Sequence, residues 1–173
     1  MTLSELVERY AQFEKRAVGF YRGLADRFAT NPEAARLWRE MSNTEASHFA
    51  LLELAQDWIA MAKGAGGMPP VTAADLDALA ARLAQLETAA EAAGLTPAAA
   101  VGLSIEWEEL ELPRIVELVR HLPPKAQGRV MAGMIAEAAE HYRMLMELVR
   151  TAGEAAQTDR VSALERSARE AIG

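Results

Sequence analysis

Residues 38–59 read Trp38-Arg39-Glu40-Met41-Ser42-Asn43-Thr44-Glu45-Ala46-Ser47-His48-Phe49-Ala50-Leu51-Leu52-Glu53-Leu54-Ala55-Gln56-Asp57-Trp58-Ile59. Trp38, Met41, Glu45, His48, Leu52, Ala55 and Ile59 recur every three or four positions, the spacing of one helix face. That face is apolar except in its middle, where a carboxylate and an imidazole three residues apart point the same way. Polar groups inside an apolar stripe are the informative residues of a helical protein, because the stripe is the part that gets buried.

Three further stripes carry the same interruption. The first, over about residues 2–29, runs Leu3, Val7, Tyr10, Glu14, Ala17, Tyr21, Leu24, Phe28, with Glu14 at its centre. A stretch opened by Thr96-Pro97 gives Val101, Ser104, Glu108, Glu111, Ile115, Leu118, Leu122, and leaves Glu106, Glu109, Pro113 and Glu117 on the opposite face. The last long stretch, ending near Ala152, gives Val130, Met134, Glu137, His141, Met144, Leu148, with Glu140 and Glu147 turned away. Nothing alternates with a period of two over any useful length, so the class is all-α.

Punctuation separates these stretches. Asn31-Pro32 can cap and open the second helix, and Gly64-Ala65-Gly66-Gly67-Met68-Pro69-Pro70 breaks it after about Met61. Thr72-Ala73-Ala74-Asp75 has the form of a capping box before a weaker helix with Leu76, Leu79, Leu83 and Leu86, which Gly94 ends. Leu122-Pro123-Pro124 divides the two last long helices, and residues 158–172 read as a short terminal helix. Residues 2–62 and 97–152 then form two antiparallel hairpins. A helix of about 30 residues is on the order of 45 Å long at 1.5 Å per residue, and residues 64–95 suffice to travel back along it. The expected organisation is a four-helix bundle over residues 1–152 with a long crossover at 64–95, followed by a tail over 153–173.

The two hairpins resemble each other. Residues 13–25 can be laid on 107–119 so that Glu14 falls on Glu108, and His48-Phe49 then falls on His141-Tyr142. Glu14, Glu45, His48, Glu108, Glu111, Glu137 and His141 would thus converge at one level of the bundle, with no Lys or Arg on any of the stripes. An ionised carboxylate buried without a partner costs several kcal/mol, comparable to the whole stability of a domain of about 5–15 kcal/mol. A bound cation resolves this. Oxygen and nitrogen donors without sulfur suit iron or manganese, while zinc would leave ligands over. Taken singly, each feature has an ordinary explanation: a Glu-x-x-His pair by accident, a surface Glu14, a hydrogen-bonded core His141. Their joint placement in four stripes argues for a metal site. His121, beside Leu122-Pro123-Pro124, reads instead as a favourable charge at a helix C-terminus.

Totals narrow the classes. The 173 residues fit one domain, and 51% hydrophobic residues provide a core. A net charge of -7 without clustered Lys or Arg argues against nucleic acid. With no cysteine, the chain has no disulfide, thiolate nucleophile or Cys-held iron. No signal-peptide pattern or membrane-length apolar run is present, so a soluble cytoplasmic protein is expected.

Glu14 with Ala17 and Tyr21, Glu45-Ala46-Ser47-His48, Glu108 with Glu111, and His141 together resemble the di-iron domain of the rubrerythrin family, over roughly residues 5–152. The resemblance implies a ferritin-like four-helix bundle holding two iron ions and reacting with peroxide or dioxygen. It also implies a homodimer. The chain departs from the family pattern twice. It lacks the cysteines of a rubredoxin-like domain, so electrons would come from a separate donor protein. Ala138 stands three before His141 where the family has Glu, and the nearest carboxylate, Glu137, is four before. Two other classes stay open: a metal-handling protein without turnover, and a helical interaction protein with a vestigial site.

Overall fold

The computed structural model describes residues 1–62, 67–152 and 155–172, apart from the side chains of residues 131, 135, 136, 138, 139, 155, 171 and 172. The Gly64 to Gly66 part of the expected break, and the side chain of Ala138, lie outside the described residues. Among the described residues six α-helices follow in order: α1 Leu3–Arg27, α2 Pro32–Met61, α3 Ala73–Glu91, α4 Pro97–His121, α5 Pro124–Ala152 and α6 Thr158–Ile172, with a 3-10 turn, Ala155–Gln157, before α6. No strand occurs among the described residues.

Local chemistry sets the boundaries. The Asn31 side chain accepts from the Ala34 amide at 3.2 Å and Pro32 occupies the first turn of α2. Thr72 and Asp75 close a full capping box at the start of α3, and Thr2 with Glu5 does the same for α1. Thr96 accepts from the Ala99 amide ahead of Pro97. Each of these contacts satisfies an amide that the first helical turn leaves without a partner. After α3 the chain reverses through Gly94 at φ 85, where a Cβ would be strained.

The long helices close a ring: α1 packs on α2, α2 on α5, α5 on α4, and α4 on α1. The crossover helix α3 lies against α1 and α4, and α6 lies against α4 and α5. The four predicted stripes supply much of the core, with Tyr10, Tyr21, Trp38 and Met41 fully buried, and Trp107, off the stripes, is fully buried as well. The crossover leucines Leu76, Leu79, Leu83 and Leu86 join the same core. So do Val161, Leu164 and Ala168 of α6, which makes the tail helix a covering element of the bundle. No helix among the described residues is long and apolar enough to cross a membrane.

Candidate metal centre

The four interrupted stripes meet inside the ring. Glu14, Glu45, His48, Glu108, Glu111 and His141 are all buried, although each carries a group that water would solvate well. The outward carboxylates expected from helix phase are engaged at the surface. Glu106 pairs with Arg82 of α3, Glu109 with Arg160 of α6, Glu140 with Arg143 and Glu147 with Arg150.

Two groups of three form within the cluster, and one residue belongs to both. Glu14, Glu45 and His48 offer ligand atoms within 4.8 Å of one another, as do Glu45, Glu108 and His141. In the first group His48 Nδ1 lies 3.0 Å from Glu45 Oε2 and 3.7 Å from Glu14 Oε2. In the second, His141 Nε2 lies 3.0 Å from Glu108 Oε1 and 3.5 Å from Glu45 Oε1. The imidazoles are nearly parallel, at 8° with centroids 6.3 Å apart. Glu45 therefore stands between two imidazoles with one oxygen toward each.

Neighbouring side chains hold the remaining carboxylates in place. The Tyr21 hydroxyl donates to Glu108 Oε1 at 2.5 Å, and the Trp107 indole N–H donates to Glu111 Oε2 at 2.8 Å. Trp107 is itself stacked on Phe20 with centroids 4.6 Å apart. One turn from the cluster, the Trp38 indole donates to Ser104 Oγ at 3.1 Å, and Ser104 returns a bond to the Ala100 carbonyl. Sequence periodicity places Ser104 and Trp38 on their stripes without naming this bond. Trp107 as the holder of Glu111 escapes a stripe reading altogether, because it lies outside the Glu108 and Glu111 stripe. Its spacing of four from Glu111 is the one signal available.

Glu137 takes a different place from the one its spacing suggests. The sequence pairs it with His141 on the same helix; in the fold its Oε2 faces Nε2 of His48 on α2, at 3.5 Å. Its side chain is 37% exposed, at the rim of a cluster whose other carboxylates are enclosed. His121 belongs to neither group and directs Nδ1 to the Glu117 carbonyl at 2.9 Å, at the end of α4.

Electrostatics without a cation are unfavourable. Burial pushes the Glu14 carboxyl above its ordinary range, and the Glu111 carboxylate adds to the rise. Burial raises Glu45 to about 8 against the pull of His141. Glu111 is raised well above the usual range by burial and by Glu45 and Glu108. For His48, burial favours the neutral ring but is outweighed by the Glu14 and Glu45 carboxylates, which raise it well above its ordinary value. His141 is likewise raised, to about 9, by Glu108 and Glu45 against burial. Only Glu108 is held low: burial opposes its ionisation, but His141 and the Tyr21 hydroxyl together prevail. Burial and the nearby Glu108 push Tyr21 well above its usual range, so it stays a donor.

An independent sign agrees that these residues could hold a metal ion. Buried side-chain atoms without any hydrogen-bond partner gather here: Glu14 Oε2, Glu45 Oε1, His48 Nε2, Glu111 Oε1 and Glu137 Oε2. Buried polar atoms are normally satisfied, and the three unfilled carboxylate oxygens of Glu14, Glu45 and Glu111 in one place call for a ligand. Among the described residues no Lys or Arg pairs with these carboxylates. A pocket of about 70 Å³ adjoins them, lined also by Ile115, Val119, Met134 and, from α6, Ala168. No family model, curated protein or solved structure matches the chain.

Proposed function

We propose that the chain is a rubrerythrin-like di-iron protein with a ferritin-like bundle, an oxidoreductase that uses peroxide or dioxygen and takes electrons from a separate donor protein. The observation that carries this reading is Glu45, shared by two three-residue groups with an imidazole in each. Helix bundles hold paired iron or manganese through such Glu and His sets, so this arrangement would suit two ions. Glu14, Glu45 and His48 would hold one ion and Glu45, Glu108 and His141 the other. Glu111, whose Oε1 has no hydrogen-bond partner, would be the carboxylate that moves with redox state.

Cavity size supports a small oxidant. At about 70 Å³ it is under half of the roughly 150 Å³ that admits benzene, which leaves room for a molecule of a few heavy atoms such as dioxygen or hydrogen peroxide. The bound metals would polarise an O–O bond and exchange electrons with it. The protein's own part is to fix the carboxylates, through Tyr21 on Glu108 and Trp107 on Glu111, and to line the approach to them with the aliphatic side chains of Ile115, Val119 and Met134. Oxygen and nitrogen donors without sulfur favour iron, with manganese or zinc as the other candidates.

The second reading, metal handling without turnover, draws on Glu137, whose carboxylate goes to His48 and leaves the His141 side with fewer acids. One experiment separates these readings. Purified protein is analysed for metal, scanned for an oxo-bridge absorption band and supplied with peroxide and a reductant. About two irons per chain with peroxide consumption is the expected result. Metal without turnover selects the second reading, and metal-free protein of unchanged stability leaves a helical interaction protein with a vestigial site.

A further inference from the structure

Glu137 is the acid that the metal reading leaves over, and its surroundings give it a different task. The two nitrogens of an imidazole point away from each other, so one ion cannot be held by both. His48 Nδ1 is turned inward, 3.0 Å from Glu45 and 3.7 Å from Glu14. Nε2 is turned outward, toward Glu137 Oε2 at 3.5 Å. Both of these outward atoms are buried and lack a hydrogen-bond partner. Each is therefore the available partner of the other, and an approach of about half an ångström brings them within ordinary hydrogen-bond distance of 2.7–3.2 Å.

α5 and α2 also come close one turn away. Gly133 lies one turn before Glu137 on α5, and a Cβ there would come within 2.6 Å of Leu51 Cδ1 on α2. Leu51 in turn is one turn beyond His48. Glycine at that point lets α5 close on α2 at the level where Glu137 meets the ring.

We infer that Glu137 is a positioning residue and not a metal ligand: it accepts the Nε2–H of His48, fixes the ring in the tautomer with a lone pair on Nδ1, and so aims that nitrogen at the ion held by Glu14 and Glu45. Histidine ligands are commonly oriented in this way by a carboxylate on the far nitrogen, and loss of such a partner lowers metal affinity about 10–100-fold. The inference rests on the reading of the cluster as a metal centre.

The test uses zinc as a diamagnetic probe on the full chain and on Glu137→Gln and Glu137→Ala, with affinity from chelator competition and the His48 tautomer from nitrogen-15 NMR. The amide oxygen of Gln can still accept from Nε2–H, whereas Ala cannot. The expected result is two zinc ions per chain in Glu137→Gln at an affinity within about tenfold of the parent. Glu137→Ala weakens one ion about 10–100-fold, and the parent shows a protonated Nε2 on His48. Equal loss of an ion in both variants, or a metal-bound Nε2, overturns the inference in favour of a ligand role. Unchanged affinity in both overturns it in favour of a bystander. A parent chain that takes up no zinc overturns the metal centre itself and this inference with it, which sets that failure apart from the other two.

Discussion

The hairpins α1–α2 and α4–α5 carry the same elements, an acid on the first helix and a histidine on the second, yet they complete their halves of the site differently. The first draws its group of three from one hairpin: Glu14, Glu45 and His48 all lie between residues 3 and 61. The second is composite, because Glu108 and His141 need Glu45 from the first hairpin to make a group of three, and Glu108 takes its donor from Tyr21, also in the first. Even Glu137 of α5 faces across to His48. One half of the centre therefore takes its group of three from a single hairpin, and the other takes its group from both. Variants can be ranked by how hard they press on that distinction.

Glu45→Ala presses hardest. It removes the residue common to both groups, so metal content should fall from about two ions per chain to near zero. Glu14→Ala should leave the His141 side occupied. Elemental analysis of the two variants side by side decides the matter; equal loss in both would show that the halves are not separable and that the bridge assigned to Glu45 is wrong.

Removal of the metal comes next. For Glu45, the folded value of about 8 lies above the ordinary 4.5, and for His141 about 9 lies above 6.5. Without metal, the folded chain then binds more protons than the unfolded chain between about pH 4.5 and 9, so stability must fall as pH rises through that window. Their contribution is complete below the unfolded values and gone above the folded ones. Metal binding runs the opposite way, since ligands must shed protons to bind. The melting temperatures of chelated and loaded protein should therefore separate as pH goes from 6 to 8, by about 5 °C or more if the difference exceeds roughly 2 kcal/mol in a chain of this size. Curves that run parallel would mean that the carboxylates are not confined as the fold indicates.

A smaller effect is expected of Tyr21→Phe. The ring keeps its contacts with Phe20 and His141, at 5.1 and 6.4 Å between centroids, while Glu108 loses its hydroxyl donor. A hydrogen bond to an ionised group contributes about 1.5–3 kcal/mol, or roughly 10–100-fold in affinity. Because that donor serves only the composite half, stepwise manganese titration should show one weakened ion and one unchanged. Two equally weakened ions would remove the asymmetry between the hairpins.

These contrasts also show where sequence suffices. Periodicity placed Glu14, Glu45, His48, Glu108, Glu111 and His141 inside because each is flanked by apolar residues at helical spacing, and all six are buried. The helix ends were equally legible at Asn31, Thr72 and Thr96, since a cap is local chemistry. The partner of Glu137 was not legible. Whether an acid at the edge of a stripe meets His141 on its own helix or His48 on the next depends on the approach of α5 to α2, which a small residue at Gly133 permits and no spacing rule encodes. The covering role of α6 was hidden for the same reason: Ala168 is an unremarkable residue until the tail folds back onto the cavity.

The smallest effect should come from acids one step around α4 from the metal face. Glu106 accepts from Arg82 Nε at 2.8 Å, and Glu109 takes a two-pronged pair with Arg160 at 2.9 and 2.6 Å. Both pairs are partly exposed, with 29% and 37% of the Glu side chains accessible, and such pairs contribute about 0–1 kcal/mol. Glu106→Ala and Glu109→Ala should then keep full metal content and melt within about 4 °C of the parent, whereas Glu108→Ala, two residues from the first and one from the second, should lose the ion on the His141 side. Glu109→Ala has one further consequence, because its pair ties α6 to α4. If α6 seals the cavity only through that tie, the variant should admit small quenchers to the buried Trp107 while metal content holds. If Val161, Leu164 and Ala168 hold the helix by burial, as their packing in the core indicates, quenching of Trp107 should match the parent. The second outcome is expected, since burying even one aliphatic side chain contributes about 1.5–3 kcal/mol, more than the ion pair.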